Sequence, residues 1–170
     1  KGTSGLSQRD QPGSVSGDFY HLYDASFSSG PDDAGPPAIT IGGNGPKRTL
    51  PLVARHANEW NAVFATAERF AELNTTLDQE IEKVGRKPED VRRSLMTRVV
   101  LAKDDTEARN KLDGRDPQEM RDRGALVGSG SAIVDALGRL QEARASELML
   151  QWMELDDITG IEALASEVLG

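Results

Sequence analysis

Short apolar runs alternate with helical patterns along most of the chain. Four runs have the length and composition of buried strands, namely residues 38–43, 59–64, 95–102 and 147–153. After each run comes a segment with helical character, in which apolar residues recur three or four positions apart. The clearest of these helical segments spans residues 66–84. Such an alternation predicts parallel strands that are covered by helices.

Local signals mark the ends of several predicted helices. Pro46 suits the first turn of the helix after the first strand, and Gly85 ends the second helix. Asp104 or Asp105 is the candidate N-cap of the third helix. The charged residues 113–127 give no clear pattern. Two further helices are predicted, over residues 129–145 and 159–169.

Four strand–helix units are half of an eight-stranded β/α barrel, and an open four-stranded α/β sheet is the alternative architecture. Residues 1–35 lie outside this regular pattern. They combine a Gly- and Ser-rich arm over residues 1–17, a segment with three aromatic residues that suits a short hairpin or a capping loop, and a Gly/Pro loop from residue 28. We therefore divide the chain into residues 1–35, a flexible arm with a loop or hairpin insertion, and residues 36–170, the β/α half-barrel.

Composition excludes several classes of function. The 170 residues carry a formal net charge of -8, which disfavours binding to nucleic acid or to anionic membranes. The sequence has no cysteine, so it offers no disulfide, thiolate nucleophile or cysteine metal site. No apolar run approaches the roughly 18 residues of a transmembrane helix, and the first residues lack the apolar core of a signal peptide. We expect a cytoplasmic protein and, because the chain begins with lysine, a piece of a longer polypeptide.

The most specific candidate site follows the first predicted strand. In a parallel α/β sheet, the carboxyl ends of the strands form the working face. Here the first strand ends in a Gly-Gly-Asn-Gly-Pro corner, over residues 42–46, which Lys47 and Arg48 follow. Glycine allows close approach of a ligand, and a helix start offers N–H groups and positive potential. The corner therefore predicts a site for a phosphate or another anion on a flat cofactor, with a plain strand-to-helix turn as the alternative.

The other strand ends carry weaker candidates. Asp156 and Asp157 could be acid–base groups, although capping of the last helix is the favoured interpretation. Trp60 and Trp152 are predicted in the core or at its rim. His21 and His56 lack a second ligand at metal-binding spacing, so no metal site is expected. The remaining candidates at strand ends are Asn61, residues 103–105 and residues 151–157.

Four segments carry a resemblance to a known family. The stretch PPAITIGGNGPKRTLPLVARHANEWNA, residues 36–62, resembles a characteristic stretch of the bacterial luciferase-like monooxygenase superfamily. It is most similar to the branch of deazaflavin (coenzyme F420)-dependent oxidoreductases. The segments VSGDFYHLYDA, VGRKPEDVRRS and LVGSGSAIVDALGRLQEARASELMLQWM are similar to further segments of the family and occur in the same order.

The resemblance implies an eight-stranded (β/α)8 TIM barrel, of which this chain supplies the carboxyl-terminal half, strands five to eight. The family's Ile-Gly-Gly corresponds to Ile41, Gly42 and Gly43, where the backbone lies against the cofactor ring and its phosphate-bearing tail. The continuation of that wall would be Asn44, Gly45, Pro46, Lys47 and Arg48. The implied cofactor is F420, or alternatively FMN. Most catalytic side chains belong to the half that this chain lacks, so the catalytic residues stay unknown.

Two positions depart from the family pattern. Asn58 stands where the family usually has aspartate, and Arg144 stands where a glycine-containing turn precedes strand eight. We expect Arg144 to strain that turn.

Two hypotheses follow from the resemblance. In the first, the chain is half of an oxidoreductase or monooxygenase, which transfers hydride or activates oxygen on a bound deazaflavin or FMN for a small-molecule substrate. In the second, it is a non-catalytic half-barrel that associates with itself as a scaffold or binding module. Both need a partner for the exposed barrel seam, either the missing amino-terminal half or a second copy. We therefore expect a homo-oligomer.

Overall fold

The computed structural model describes residues 13–25 and 37–169. Its contacts divide the chain into two units, residues 1–38 and 39–170. The predicted arm and Gly/Pro loop lie outside the described residues, except at residues 13–17 and 37.

The described part of the first unit is a β-hairpin. Strand β1 (Gly13–Ser16) pairs in antiparallel fashion with β2 (His21–Ala25). The Ser14 hydroxyl accepts a hydrogen bond from the backbone N–H of Asp24 at 3.1 Å. Of the two alternatives for the aromatic segment, the hairpin is therefore the one that forms.

The second unit alternates strands and helices. Its strands are β3 (Thr40–Gly42), β4 (Glu59–Val63), β5 (Arg92–Leu101), β6 (Leu126–Gly128) and β7 (Glu147–Gln151). Its helices are α1 (Thr49–His56), α2 (Ala67–Lys83), α3 (Asp105–Lys111), α4 (Pro117–Asp122), α5 (Gly130–Glu142) and α6 (Ile158–Leu169), with a 3-10 turn over Pro88–Asp90. The four predicted strands and the predicted helices are confirmed, whereas β6 and α4 lie in the segment without a clear pattern. No helix of the described residues has the length and apolar character to cross a membrane.

Every strand pair in the second unit is parallel. The order is β3, β4, β5, and β5 then pairs with β7 through residues 94–98 and with β6 through residues 99–101. Over the described residues the sheet is open, and these strands alone close no barrel. The fold is thus an α/β fold with a parallel sheet.

The main core lies between the sheet and its helices. Trp60 of β4 stacks on Phe70 of α2, with ring centroids 5.2 Å apart. Both side chains are fully buried, and Trp152 packs against the same core. The predicted core or rim position of both tryptophans is confirmed. Because side chains alternate along a strand, Glu59 and Asn61 point to the opposite face of the sheet from Trp60.

A buried arginine joins α2 to the turn before β7. The Arg93 guanidinium donates to Asp78 at 2.5 Å, and Arg144 donates to the other oxygen of Asp78 at 2.6 Å. Burial lowers the pKa of Arg93, an effect that the Asp78 carboxylate opposes. Arg144 has a φ of +73°, so the expected strain in this turn is confirmed.

A comparison of Gly124 with Gly114 distinguishes the effect of backbone strain from the effect of close packing. Both have positive φ, +90° and +83°. A Cβ at Gly124 would lie 2.5 Å from the carbonyl carbon of Ala65, whereas a Cβ at Gly114 would meet nothing within 4 Å. We expect Gly114→Ala to lower the free energy of unfolding by about 1–2 kcal/mol through backbone strain. Gly124→Ala should lower it by about 1–3 kcal/mol more, because the Ala65 backbone must move.

Urea unfolding followed by circular dichroism measures both losses. Equal losses for the two variants would show that the approach of Gly124 to Ala65 does not constrain the fold.

Candidate functional site

The carboxyl ends of the strands meet at one edge of the sheet, because all the strands of the second unit are parallel. Gly42, Val63 and Gln151 end β3, β4 and β7. Strand β5 continues past its pairing with β4, which ends at Met96, to Leu101. This edge contains the predicted glycine corner.

The backbone of Gly43 is fixed on both sides. Its N–H donates to the carbonyl of Asn61 at 2.9 Å, and its carbonyl accepts from the Trp60 indole nitrogen at 2.8 Å. Gly43 has a φ of +116°, which side-chain-bearing residues rarely adopt. The corner is therefore a rigid turn that needs glycine at this position.

The Asn44 side chain continues the pairing between β3 and β4. Its Nδ2 donates to the Val63 carbonyl at 2.6 Å, and its Oδ1 accepts from the Val63 N–H at 2.9 Å. Both polar ends of this amide are thus engaged with the end of β4. Asn44 shapes the corner through these bonds.

Gly42 leaves one face of the corner bare. The Ile41 side chain packs against the core. Gly42, the next residue of the strand, therefore faces the other side of the sheet, where a Cβ would meet only the Asn61 carbonyl, at 3.8 Å. A flat ligand could contact the backbone of Gly42 closely, while Ile41 could contribute its backbone only.

The entry to α1 adds positive charge to the corner. The Gly45 carbonyl accepts the N–H groups of Thr49 and Leu50 at 2.9 and 3.0 Å. Pro46 lies in the turn before the helix and not, as predicted, in its first turn, because α1 begins at Thr49. Lys47 and Arg48 are exposed and form no ion pair with any described residue. The corner thus offers an anion two cations next to bare backbone.

Asn61 belongs to a buried polar network on the sheet face opposite the helices. Its Nδ2 donates to the Ser94 hydroxyl at 2.9 Å, and Ser94 donates to Glu59 at 2.6 Å. Arg92 pairs with the same carboxylate at 3.2 Å. The side chain of Asn61 is therefore held inside this network. Polar residues at alternate positions of an apolar strand are the sequence signal for such a face.

Two acidic residues at the other strand ends, Asp104 and Asp157, serve as helix caps. Asp104 accepts from the Glu107 N–H at 2.9 Å, and Asp157 accepts from the Gly160 N–H at 2.8 Å. The hydrogen bond from Arg121 lowers the pKa of the Asp105 carboxyl. The capping interpretation of Asp157 is confirmed. Among the described residues, no group of three or more His, Asp or Glu side chains could hold a metal ion.

A cavity of about 630 Å³ opens at the same edge of the sheet. Phe64 follows β4, Arg98 lies on β5, and Arg115 lies in the loop between α3 and α4. Phe64 has a φ of +48°. Sequence analysis did not single out these three residues, although an arginine inside the apolar run of β5 is a signal that could have found Arg98.

The family model described as luciferase-like monooxygenase matches residues 3–166. No curated protein matches the sequence. Among solved structures, an F420-dependent secondary alcohol dehydrogenase in complex with an F420-acetone adduct is similar, with a TM-score of 0.78 and 17% identity, over 97% of this chain and 58% of that one.

Two further structures are similar. One is the coenzyme F420-dependent tetrahydromethanopterin reductase from Methanopyrus kandleri, with a TM-score of 0.71 and 15% identity, over 98% of this chain and 59% of that one. The other is the oxygenating constituent of 3,6-diketocamphane monooxygenase from Pseudomonas putida in complex with FMN, with a TM-score of 0.62 and 15% identity, over 94% of this chain and 56% of that one.

The chain thus spans less than two thirds of the length of these structures. At these identities the likeness concerns the fold, and the family model, matched over nearly the whole sequence, shows that the chain belongs to the luciferase-like monooxygenase family.

Proposed function

We propose that the chain forms part of an oxidoreductase that binds a deazaflavin or flavin at the corner of residues 41–48. The observation that carries this proposal is the bare backbone of Gly42 beside two exposed cations, Lys47 and Arg48. A flat ring needs the first feature and a phosphate-bearing tail needs the second. When bound, the cofactor supplies hydride transfer or, in the case of FMN, oxygen activation.

The residues of the corner would bind and orient that cofactor. The Trp60 indole and the Asn44 amide hold the backbone in one conformation, so little conformational entropy is lost on binding. Gly42 allows close approach, and Lys47 with Arg48 attracts the phosphate. Between the two cofactors we favour F420, in line with the sequence resemblance. The two F420-dependent neighbours reported above also have higher TM-scores than the FMN complex.

We further propose that this chain supplies the carboxyl-terminal half of a barrel and that the remaining strands come from another segment. The sheet face opposite the helices supports this, because it is only partly covered in the described residues. Arg92 is 56% exposed, Glu147 49% and Met149 39%. A second copy of the chain could cover the same face, and that arrangement is the alternative function, a self-associating scaffold.

Removal of the corner's positive charge tests the cofactor proposal. We expect Lys47→Gln and Arg48→Gln each to weaken binding of F420 or FMN by about threefold to tenfold, because a charge-assisted contact to phosphate is lost. The loss should shrink as salt is added. Fluorescence titration of each cofactor measures it. The matched control is Arg55→Gln, in the last turn of α1, the helix that follows the corner. Equal weakening by all three variants, or no binding by the unaltered chain, would contradict the proposal.

Asn44→Asp tests whether the two hydrogen bonds between the Asn44 side chain and the Val63 backbone shape the corner. Aspartate keeps the acceptor for the Val63 N–H but places an oxygen against the Val63 carbonyl, now 2.6 Å from Nδ2. We expect the free energy of unfolding to fall by about 1–3 kcal/mol and cofactor affinity to fall with it. Asn58→Asp is the control, because within the described part of the chain the Asn58 side chain makes only one hydrogen bond, in which its Oδ1 accepts from the Ile39 N–H at 2.9 Å. If both variants unfold at the same urea concentration, the hydrogen bonds between Asn44 and Val63 do not stabilise the corner.

A further inference from the structure

The cavity lined by Phe64, Arg98 and Arg115 has a chemistry that the glycine corner does not use. None of the corner residues lines it. Its walls come from the end of β4, from the inner part of β5, from the loop after α3 and from the end of β7. It therefore lies at the working edge of the sheet but forms a separate recess.

Arg98 lines this cavity, and part of its hydrogen-bonding capacity is unused. Its guanidinium donates to the Lys111 carbonyl at 3.0 Å and to a Glu154 oxygen at 3.3 Å. The Nε–H is buried and has no hydrogen-bond partner among the described residues. Buried side-chain donors are nearly always paired, so the protein leaves the guanidinium of Arg98 incompletely satisfied.

The cations in the wall outnumber the acids, which favours an anion as the ligand of this cavity. The cations are Arg98, Lys111 and Arg115, and the acids are Asp113 and Glu154. Lys111 pairs with Glu107 at 3.3 Å. Arg115, which is exposed, forms no ion pair within the described part of the chain. Arg115 can therefore turn toward an oxyanion that Arg98 also holds.

The rest of the wall is apolar. Phe64 is 37% exposed, and its φ of +48° is unusual for a bulky residue. Met120 and Met153 line the same recess. An aromatic ring and two thioethers suit a planar or aliphatic body, since methionine adapts to the shape that it contacts.

From this combination we propose that the cavity binds an organic oxyanion, with the carboxylate or phosphate ester on Arg98 and Arg115 and the apolar body against Phe64. That this ligand is the substrate rests on the proposed oxidoreductase function, whereas its binding does not. Carboxylates and phosphate esters share the same donors here, so the experiment includes one of each.

The ¹⁵N-labelled chain is titrated with benzoate, with phenyl phosphate and with neutral benzamide, and the arginine Nε–H signals are followed by NMR. We expect both anions to shift the Nε–H signal of Arg98, assigned through Arg98→Lys, and benzamide to bind at least about tenfold more weakly. A larger effect of one anion identifies the oxyanion class. No shift of this signal with either anion would overturn the proposal.

Two variants give effects of opposite sign. Arg115→Gln should weaken anion binding about tenfold, because the ion pair between Arg115 and the bound anion is lost. Glu154→Gln should strengthen it severalfold, because Glu154 competes with the ligand for Arg98. Arg55→Gln, outside the cavity, should change nothing. Loss of binding in both cavity variants would indicate mere disruption, and no change in either would place the anion elsewhere. Both results contradict the proposal.

This titration needs no cofactor, so the two proposals fail separately. If the chain binds F420 or FMN but the anions do not shift the Arg98 signal, only the oxyanion site is overturned. If the chain binds the anions but neither cofactor, the oxyanion site stands and the proposed oxidoreductase function is overturned.

Discussion

Strand β5 is the element on which the second unit depends. Its residues pair with β4 on one side, with β7 over residues 94–98 and with β6 over residues 99–101. A single parallel strand that serves three neighbours fixes their direction and register together. It therefore brings the ends of β4 and β7, together with the loops that follow β5, to one edge of the sheet. The same strand contributes Arg93 to the helix side and Ser94 to the polar network on the other face. Both the glycine corner and the recess around Arg98 depend on this register.

Much of this architecture could be predicted from sequence, because it rests on local signals. Continuous apolar runs mark four strands, and the side-chain cap Asp104 marks where a helix starts. Strand β6 could not be found in this way. It has three residues, lies in a charged segment and is held by pairing with the far end of β5, a partner distant in sequence. The predicted start of α1 is too early for a different reason. A proline is compatible with a turn as well as with a first helical turn, and here the Gly45 carbonyl selects the turn.

The candidate site likewise combines local signals with distant contacts. The corner could be predicted because glycine, asparagine and two basic residues stand together in the chain. The hydrogen bonds that hold the corner could not be predicted, since their partners Trp60 and Val63 come from the next strand. The recess was missed for a stronger reason. Positive φ at Phe64 leaves no mark in the sequence. The two hydrogen-bond partners of Arg98 are also distant in sequence, since Lys111 lies 13 positions away and Glu154 lies 56 positions away. Sequence can thus indicate a backbone-built ligand site more readily than a pocket assembled from separate loops.

We propose that this chain is a cofactor-binding segment of a luciferase-like oxidoreductase. A native mass spectrum of the purified protein, followed by a denatured one, is the decisive experiment. We expect a ligand with the mass of F420 or FMN to leave the 18.4 kDa chain on denaturation, together with a companion fragment that completes the barrel. A chain that appears alone or as a dimer, without ligand and unable to take up either added cofactor, would contradict it. The family relationship would then describe the fold of this chain and not its activity.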